Sequence, residues 1–244
     1  ASFLGEHLNP PGIEANFLLP LPWFAELSAS VNSPEVETST FDRDEDANNI
    51  GRLLYIAHLS NFFELSDALS LILGGSFATG SNGTEVGNRS NLYGIDLFLK
   101  FRPLEDNPYQ EFWLQSEFMY RQAETADRDL DDWGAYAQAI YRFAKRWNAG
   151  FRFDFVDTDD PISPLDEDLA LGSFLLMPSQ EEGEEELGLF GKELRYALML
   201  TFNPTEFSRI RLQYEITDPD FEDIAHAVFL QFQYSLGAHG AHPF

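Results

Sequence analysis

From Ile13 to Leu236 the chain repeats one pattern, apolar residues at every second position in short runs with polar residues between them. Only an extended strand sends alternate side chains to opposite faces; a helix would need its apolar residues three and four apart. The runs are "IEANFLL", "AELSASV", "LLYIAHLS", "LSLILGGSF", "YGIDLFLKF", "FWLQSEFMY", "WGAYAQAIYRF", "AGFRFDF", "LRYALMLTF", "IRLQYEI" and "VFLQFQYSL". They predict an all-β chain of about eleven strands, most of about nine to eleven residues. No Pro/Gly/Ser-rich linker interrupts them, so residues 1–244 are expected to form one domain.

The links between these runs alternate in length. Short ones ("PLPW", "FFELSD", "RPLEDNPYQ", "AKRWN", "NPTEFS") take turns with longer acidic ones at 33–48, 79–91, 122–131, 157–191 and 217–225. A soluble sandwich has no reason to keep this asymmetry, whereas an antiparallel up-and-down transmembrane barrel has short turns on one side and long loops on the other. No stretch offers the roughly 18 consecutive apolar residues of a membrane helix, a test that barrel strands never meet. Aromatics gather near the short links, at Trp23 and Phe24, Phe62 and Phe63, Phe101, Tyr109, Phe143 and Trp147, Phe202 and Phe207. Amphipathic rings favour the headgroup level of a bilayer; the plainer reading is that aromatics favour strands.

Alternation alone does not say which face is inside. If the apolar parity meets lipid, the other parity lines the interior: Arg52, Asp96, Lys100, Arg102, Glu117, Arg121, Arg142, Arg152, Asp154, Glu193, Arg195, Arg209, Arg211 and Glu215 are then pore-lining. Packing the Phe and Tyr of about eleven strands inside a soluble barrel would require filling a very large interior, which a water-filled lumen does not. A soluble β protein is the structural alternative, and it would be stable without detergent. Arg142, Arg152, Arg195, Arg209 and Arg211 form a stripe suited to guiding anions. Alternatively they pair with Asp154, Glu193 and Glu215 across strands and merely stiffen the wall.

The chain carries 41 Asp and Glu against 15 Lys and Arg, a formal charge of -26. Phosphate-backbone binding needs clustered, accessible cations, so nucleic acid is excluded as a partner. Cysteine is absent, which removes disulfide and thiolate chemistry. No secretory signal opens the sequence, as expected of a cytoplasmic chain or one already processed.

The stretches "NFFELSDALSLILGGSFATGSNG", "NLYGIDLFLKFRPL", "DDWGAYAQAIYRFAKRW", "NPTEFSRIRLQY" and "HAVFLQFQYSLGAHGAHPF" cover most of the chain. In them it resembles Gram-negative outer-membrane porins related to phosphate-selective porins, a group in which similar sequences are sometimes labelled zinc-regulated outer-membrane receptors. The resemblance implies an outer-membrane barrel of about 12 to 16 strands, of which this chain supplies about eleven. Because the first run starts from the long-link side, an even barrel needs at least one further strand, so the chain is expected to be the C-terminal part of a larger barrel or a set of about 12 with one strand unrecognised.

Three constellations invite chemistry. His58, Ser60 and Asn61 resemble the His, Ser and Asn of outer-membrane phospholipase A. His226, His239 and His242 could begin a zinc site, although terminal histidines are usually only polar spacing. The 157–191 link is long enough to fold inward and narrow a pore, with "LALGSFLLM" as an apolar anchor. The leading expectation is a passive channel for small hydrophilic solutes, with no reaction catalysed, no cofactor and no metal. Its partners would be outer-membrane lipid and lipopolysaccharide, the solutes, and a second copy or another periplasmic or extracellular protein. A second expectation makes the barrel a sheath or receptor wall for a lipoprotein, a plug or a multihaem cytochrome, or a part of metal uptake.

Overall fold

The computed structural model describes residues 10–33, 40–41, 53–84, 87–103, 109–125, 129–162, 189–220 and 223–235. Eleven strands account for nearly all of them: β1 (Gly12–Leu18), β2 (Phe24–Asn32), β3 (Leu54–Ser66), β4 (Leu69–Ser81), β5 (Arg89–Phe101), β6 (Glu111–Glu124), β7 (Asp129–Ala144), β8 (Trp147–Ile162), β9 (Leu189–Thr205), β10 (Ser208–Pro219) and β11 (Ala225–Tyr234). They form one sheet in the order β1 to β11, every strand antiparallel to its sequence neighbours. Each period-two run lies on its own strand. The sheet is open: β1 and β11 are each paired on one side only.

The strands run 7 to 17 residues, longer at one end than the apolar runs predict. The expected long links shrink accordingly. β4 continues to Ser81 and β5 starts at Arg89; β6 reaches Glu124 and β7 starts at Asp129; β8 reaches Ile162 before β9 starts at Leu189; β10 ends at Pro219 and β11 starts at Ala225. The physical reason is backbone pairing. In β6 and β7 the ladder continues through Arg121↔Asp132, Gln122↔Asp131, Ala123↔Leu130 and Glu124↔Asp129, where acidic residues of low strand propensity are held by their neighbours. Of the 33–48 link the described residues are Ser33, Thr40 and Phe41; most of the 157–191 link, "LALGSFLLM" included, lies outside the described residues.

The opposite end closes tightly. Two-residue turns at Asp67 and Ala68, Lys145 and Arg146, and Glu206 and Phe207 join three of the strand pairs. Backbone bonds from Arg102 to Ala68, Asn203 to Arg146 and Ser235 to Phe207 tie these turns to the adjoining strand ends. A register shift flanks each one, between Glu64 and Ser66, Arg142 and Ala144, and Ser208 and Ile210. One extra residue lets a tight turn follow the right-handed twist of its strands.

The two faces differ in a way that reverses soluble-protein habit. Ile13, Phe17, Val31, Leu73, Tyr93, Ile95, Phe118, Phe151, Leu198, Leu212, Val228, Leu230 and Phe232 all belong to the apolar parity, and all are exposed. The polar parity instead holds the buried Glu111, Arg121, Asp132, Thr201 and Glu215. Among the described residues a buried apolar cluster, Phe41, Leu54, Ala78 and Leu92, also lies on the polar face, at the end of the long links.

Candidate functional site

The register assembles the polar-parity residues into rows across the sheet, which strand pairing alone brings together. At the tight-turn end, Glu111 joins two cations: Lys100 Nζ lies 3.0 Å from Oε1 and Arg142 Nη1 lies 3.4 Å from Oε2. Arg142 also stands over the Trp113 ring, 5.3 Å from its centroid, and donates from Nε to Asn148. Glu111 opposes Arg142 directly and is almost fully buried, so the pair neutralises a carboxylate that would otherwise be costly to desolvate. Sequence reading missed Glu111 as a site residue because it stands one position before the run "FWLQSEFMY".

Midway along the strands the polar groups interlock. Arg152 donates from Nε to both Asp154 oxygens at 2.9 Å, and its guanidinium lies 4.3 Å from the Tyr136 centroid. The Tyr136 hydroxyl donates to Glu117 Oε1 at 3.0 Å and accepts from Gln115 Nε2 at 2.7 Å. Arg195 donates to Glu193 Oε1 at 2.9 Å. The two partners i and i+2 on one strand share a face, which is why a period-two polar stripe can pair with itself.

His58 Nε2 and Asp96 Oδ2 lie 3.1 Å apart. Gly74 stands directly opposite Asp96, and a Cβ there would collide with the Asp96 carboxylate. The missing side chain is what lets Asp96 lie across β4 to reach β3. Asn61 falls on the other face of β3, where its Oδ1 accepts from Trp23 Nε1 at 3.0 Å. The phospholipase-like reading needs Asn61 to orient His58, and this geometry separates them. His226 lies on the apolar face against Tyr214, whose hydroxyl is 2.8 Å from Nδ1; His239 and His242 lie outside the described residues. Among the described residues no group of three or more His, Asp or Glu is arranged to hold a metal ion.

At the long-link end Arg121 and Asp132 form a buried ion pair, with Arg121 Nε donating to Asp132 Oδ2 at 2.6 Å and Thr158 Oγ1 donating to Oδ1 at 2.7 Å. A buried charge is tolerated only when its partners are this complete.

The arginine stripe therefore divides. Arg142 pairs with Glu111 on the neighbouring strand, whereas Arg152 and Arg195 pair with Asp154 and Glu193 on their own strands rather than across strands as the wall-stiffening reading has it. Arg209 donates to Gln233, a neutral amide, and among the described residues Arg211 has no ion-pair partner and the Nε of each is buried without a hydrogen bond. Glu215, one of the three carboxylates expected to pair with the stripe, accepts from Gln213. Arg102 sits just past the end of β5, exposed, and Arg52 lies outside the described residues.

The apolar face has its own order. Near the tight turns, Trp147 and Phe202 are 4.7 Å apart, and Tyr141 and Phe143 6.5 Å. Toward the long links stands a second group that the sequence reading did not identify: Phe77, Tyr93 and Tyr120 at 5.2 and 6.1 Å, then Phe118, Trp133 and Phe155 at 6.1 and 4.4 Å. On β5, Tyr93 and Phe101 mark the two groups, separated by about 26 Å of strand at ~3.3 Å per residue.

The fold thus defines a class: an antiparallel up-and-down sheet with its apolar face bare and its charged face paired and partly buried. No protein-family model matches the chain. It is similar to an uncharacterized protein of Aquifex aeolicus (strain VF5), 29% identical over 272 aligned positions that cover 99% of this chain and 53% of that protein. The chain spans about half the length of that curated relative.

Proposed function

We propose that this sheet is the larger part of the wall of a bacterial outer-membrane β-barrel that lets small hydrophilic solutes diffuse passively across the membrane. The observation that carries the reading is the polarity of the faces: Leu198, Leu212, Leu230 and Phe232 are exposed while Arg121, Asp132 and Glu215 are buried. Water penalises that arrangement over so large a surface, and lipid rewards it. The two aromatic groups support it. With strands tilted about 40°, 26 Å of strand rises roughly 20 Å, close to the ~25 Å apolar band of such barrels.

Closure follows from direction. β1 and β11 run the same way, so pairing them directly would be parallel, whereas an odd number of added strands completes an antiparallel barrel with an even count. Totals of about 12 to 16 strands satisfy this with one to five more. Backbone edges left open in lipid are too costly to persist, so the strands come from outside the eleven described here.

In this reading the apolar face meets lipid and lipopolysaccharide and the polar rows line the pore. Arg209 and Arg211, which have no carboxylate partner among the described residues, tilt the pore toward anions, since rings of fixed charge set selectivity. The deciding experiment is planar-bilayer conductance of the full-length protein with the reversal potential in a KCl gradient. Steady ohmic current with an anion-leaning reversal potential is expected. No current from a correctly folded protein would transfer the wall to the sheath or receptor role.

A further inference from the structure

An apolar belt interrupts the charged rows of the polar parity. The register sets Phe24 opposite Phe62, Phe62 opposite Ile72 and Ile72 opposite Phe98, an unbroken apolar row across β2 to β5. One row nearer the tight turns the belt continues, with Trp113 on β6 opposite Ile140 on β7. Gly150 of β8 opposes both Ile140 and Met199 of β9. A Cβ at Gly150 would lie 2.9 Å from Met199 Cγ, so the thioether lies over β8 toward Ile140. Gln213 of β10 then stands between Met199 and Phe229 of β11.

These side chains keep their surface. Phe24 is 50% and Phe62 38% exposed, and Phe98, Trp113, Met199 and Phe229 are half-buried. Rings and a thioether facing a water-filled space are costly unless a solute covers them in transit.

The belt ends beside the charge that the wall leaves over. Arg211 opposes Thr201 and Gln231, which places Met199 and Phe229 one row away as its diagonal neighbours on β9 and β11. Diagonal neighbours on one face lie within reach of long and aromatic side chains. Thr201, Gln213 and Gln231 around it are neutral, and among the described residues no carboxylate pairs with Arg211. A free guanidinium, neutral hydrogen-bonding groups and apolar surface thus meet in one place. Inorganic phosphate or acetate would use only the first two. A carboxylate carried on an aromatic ring uses all three, its oxygens on the planar guanidinium fork and its ring against Phe229 and Met199.

Resting on the pore reading above, we propose that Arg211, Met199 and Phe229 form a binding site for aromatic carboxylates on the polar face, so that the pore selects among anions by their apolar body as well as their charge. The full-length protein is placed in planar bilayers in KCl, and the concentrations of benzoate, acetate, inorganic phosphate and benzyl alcohol that halve the single-channel current are compared. Phe229→Ala and Met199→Gln each remove part of the apolar surface, and Arg211→Gln removes the charge. Urea unfolding followed by tryptophan fluorescence confirms that each variant is folded.

Benzoate is expected to block at roughly a tenth of the acetate concentration, with phosphate and benzyl alcohol no better than acetate. In Phe229→Ala and in Met199→Gln the gap between benzoate and acetate should narrow about threefold, whereas Arg211→Gln should weaken both anions. Equal block of the wild type by benzoate and acetate overturns the proposal and leaves the pore reading intact. So does strongest block by phosphate, block by benzyl alcohol equal to that by benzoate, or an undiminished gap in both belt variants. A folded wild type that passes no KCl current overturns the pore reading and this proposal with it.

Discussion

Leu198 offers the sharpest test of which solvent the apolar face meets. It lies on β9 midway between Lys192 and the Glu206 and Phe207 turn, and is 59% exposed. If that face meets water, Leu198→Arg replaces one exposed side chain by another and changes stability by no more than about 0.5 kcal/mol. If it meets lipid near the bilayer midplane, the guanidinium costs about 2–4 kcal/mol. At ~1.4 kcal/mol per decade that is roughly a 30- to 1000-fold loss in the folding equilibrium. Ser30→Arg on the polar face is the control. Ser30 opposes Glu14, so a cation there gains a partner and is expected to change stability by less than about 1 kcal/mol. The assay is urea unfolding of the full chain in phospholipid vesicles, followed by the fluorescence of its four tryptophans. Equal stability of Leu198→Arg and the wild type, or an equal penalty at Ser30, would refute lipid contact at this face.

Asp132→Asn leaves Arg121 buried without its counter-charge and is expected to destabilise by about 3–5 kcal/mol, read in the same unfolding assay; a loss below about 1 kcal/mol would show the pair to be solvated. Gly74→Ala pushes the Asp96 carboxylate off β4. The His58 contact should be lost at a cost of roughly 1–3 kcal/mol, and His58→Asn made in the Gly74→Ala background should then cost much less than in the wild type, which a double-mutant cycle measures. Arg211→Ala should shift the reversal potential toward cations while Arg152→Ala, which removes a guanidinium already paired with Asp154, should shift it less; equal shifts would show that pairing does not set a residue's weight in selectivity.

How much of this was legible in the sequence differs between the middle of the strands and their ends. The strand centres were readable because the apolar residues of "YGIDLFLKF" or "LRYALMLTF" keep strict alternation. The extensions were not, because β7 begins "DLDD" and β10 ends "TDP", residues of low strand propensity that extend only because a partner strand is already in register. Pairing was half legible. Arg152 with Asp154 and Arg195 with Glu193 sit two apart on one strand, so parity alone brings them together. Arg121 with Asp132, and Arg142 with Glu111, depend on hairpin register, which the link lengths underestimated. Phe41 gave no signal at all. It is one aromatic within "STFDRDED", and it packs beside Gly80, where a Cβ would lie 3.0 Å from its ring, a neighbour distant in sequence and recognisable only once β3 and β4 are paired.

Because every described strand bonds only to the strands before and after it, the sheet is a chain of hairpins, each joined to the next by the same antiparallel ladder. Such a sheet can change width by inheritance of whole hairpins. Duplicating or deleting one alters the strand count by two, leaves the direction of both outer edges as it was, and disturbs no register beyond the junction. The side that must stay fixed for this to work is the one with the two-residue turns, where three crossings are short and bulged to fit. The other side, with its longer acidic crossings, is where sequence can vary in length without the neighbouring strands having to shift.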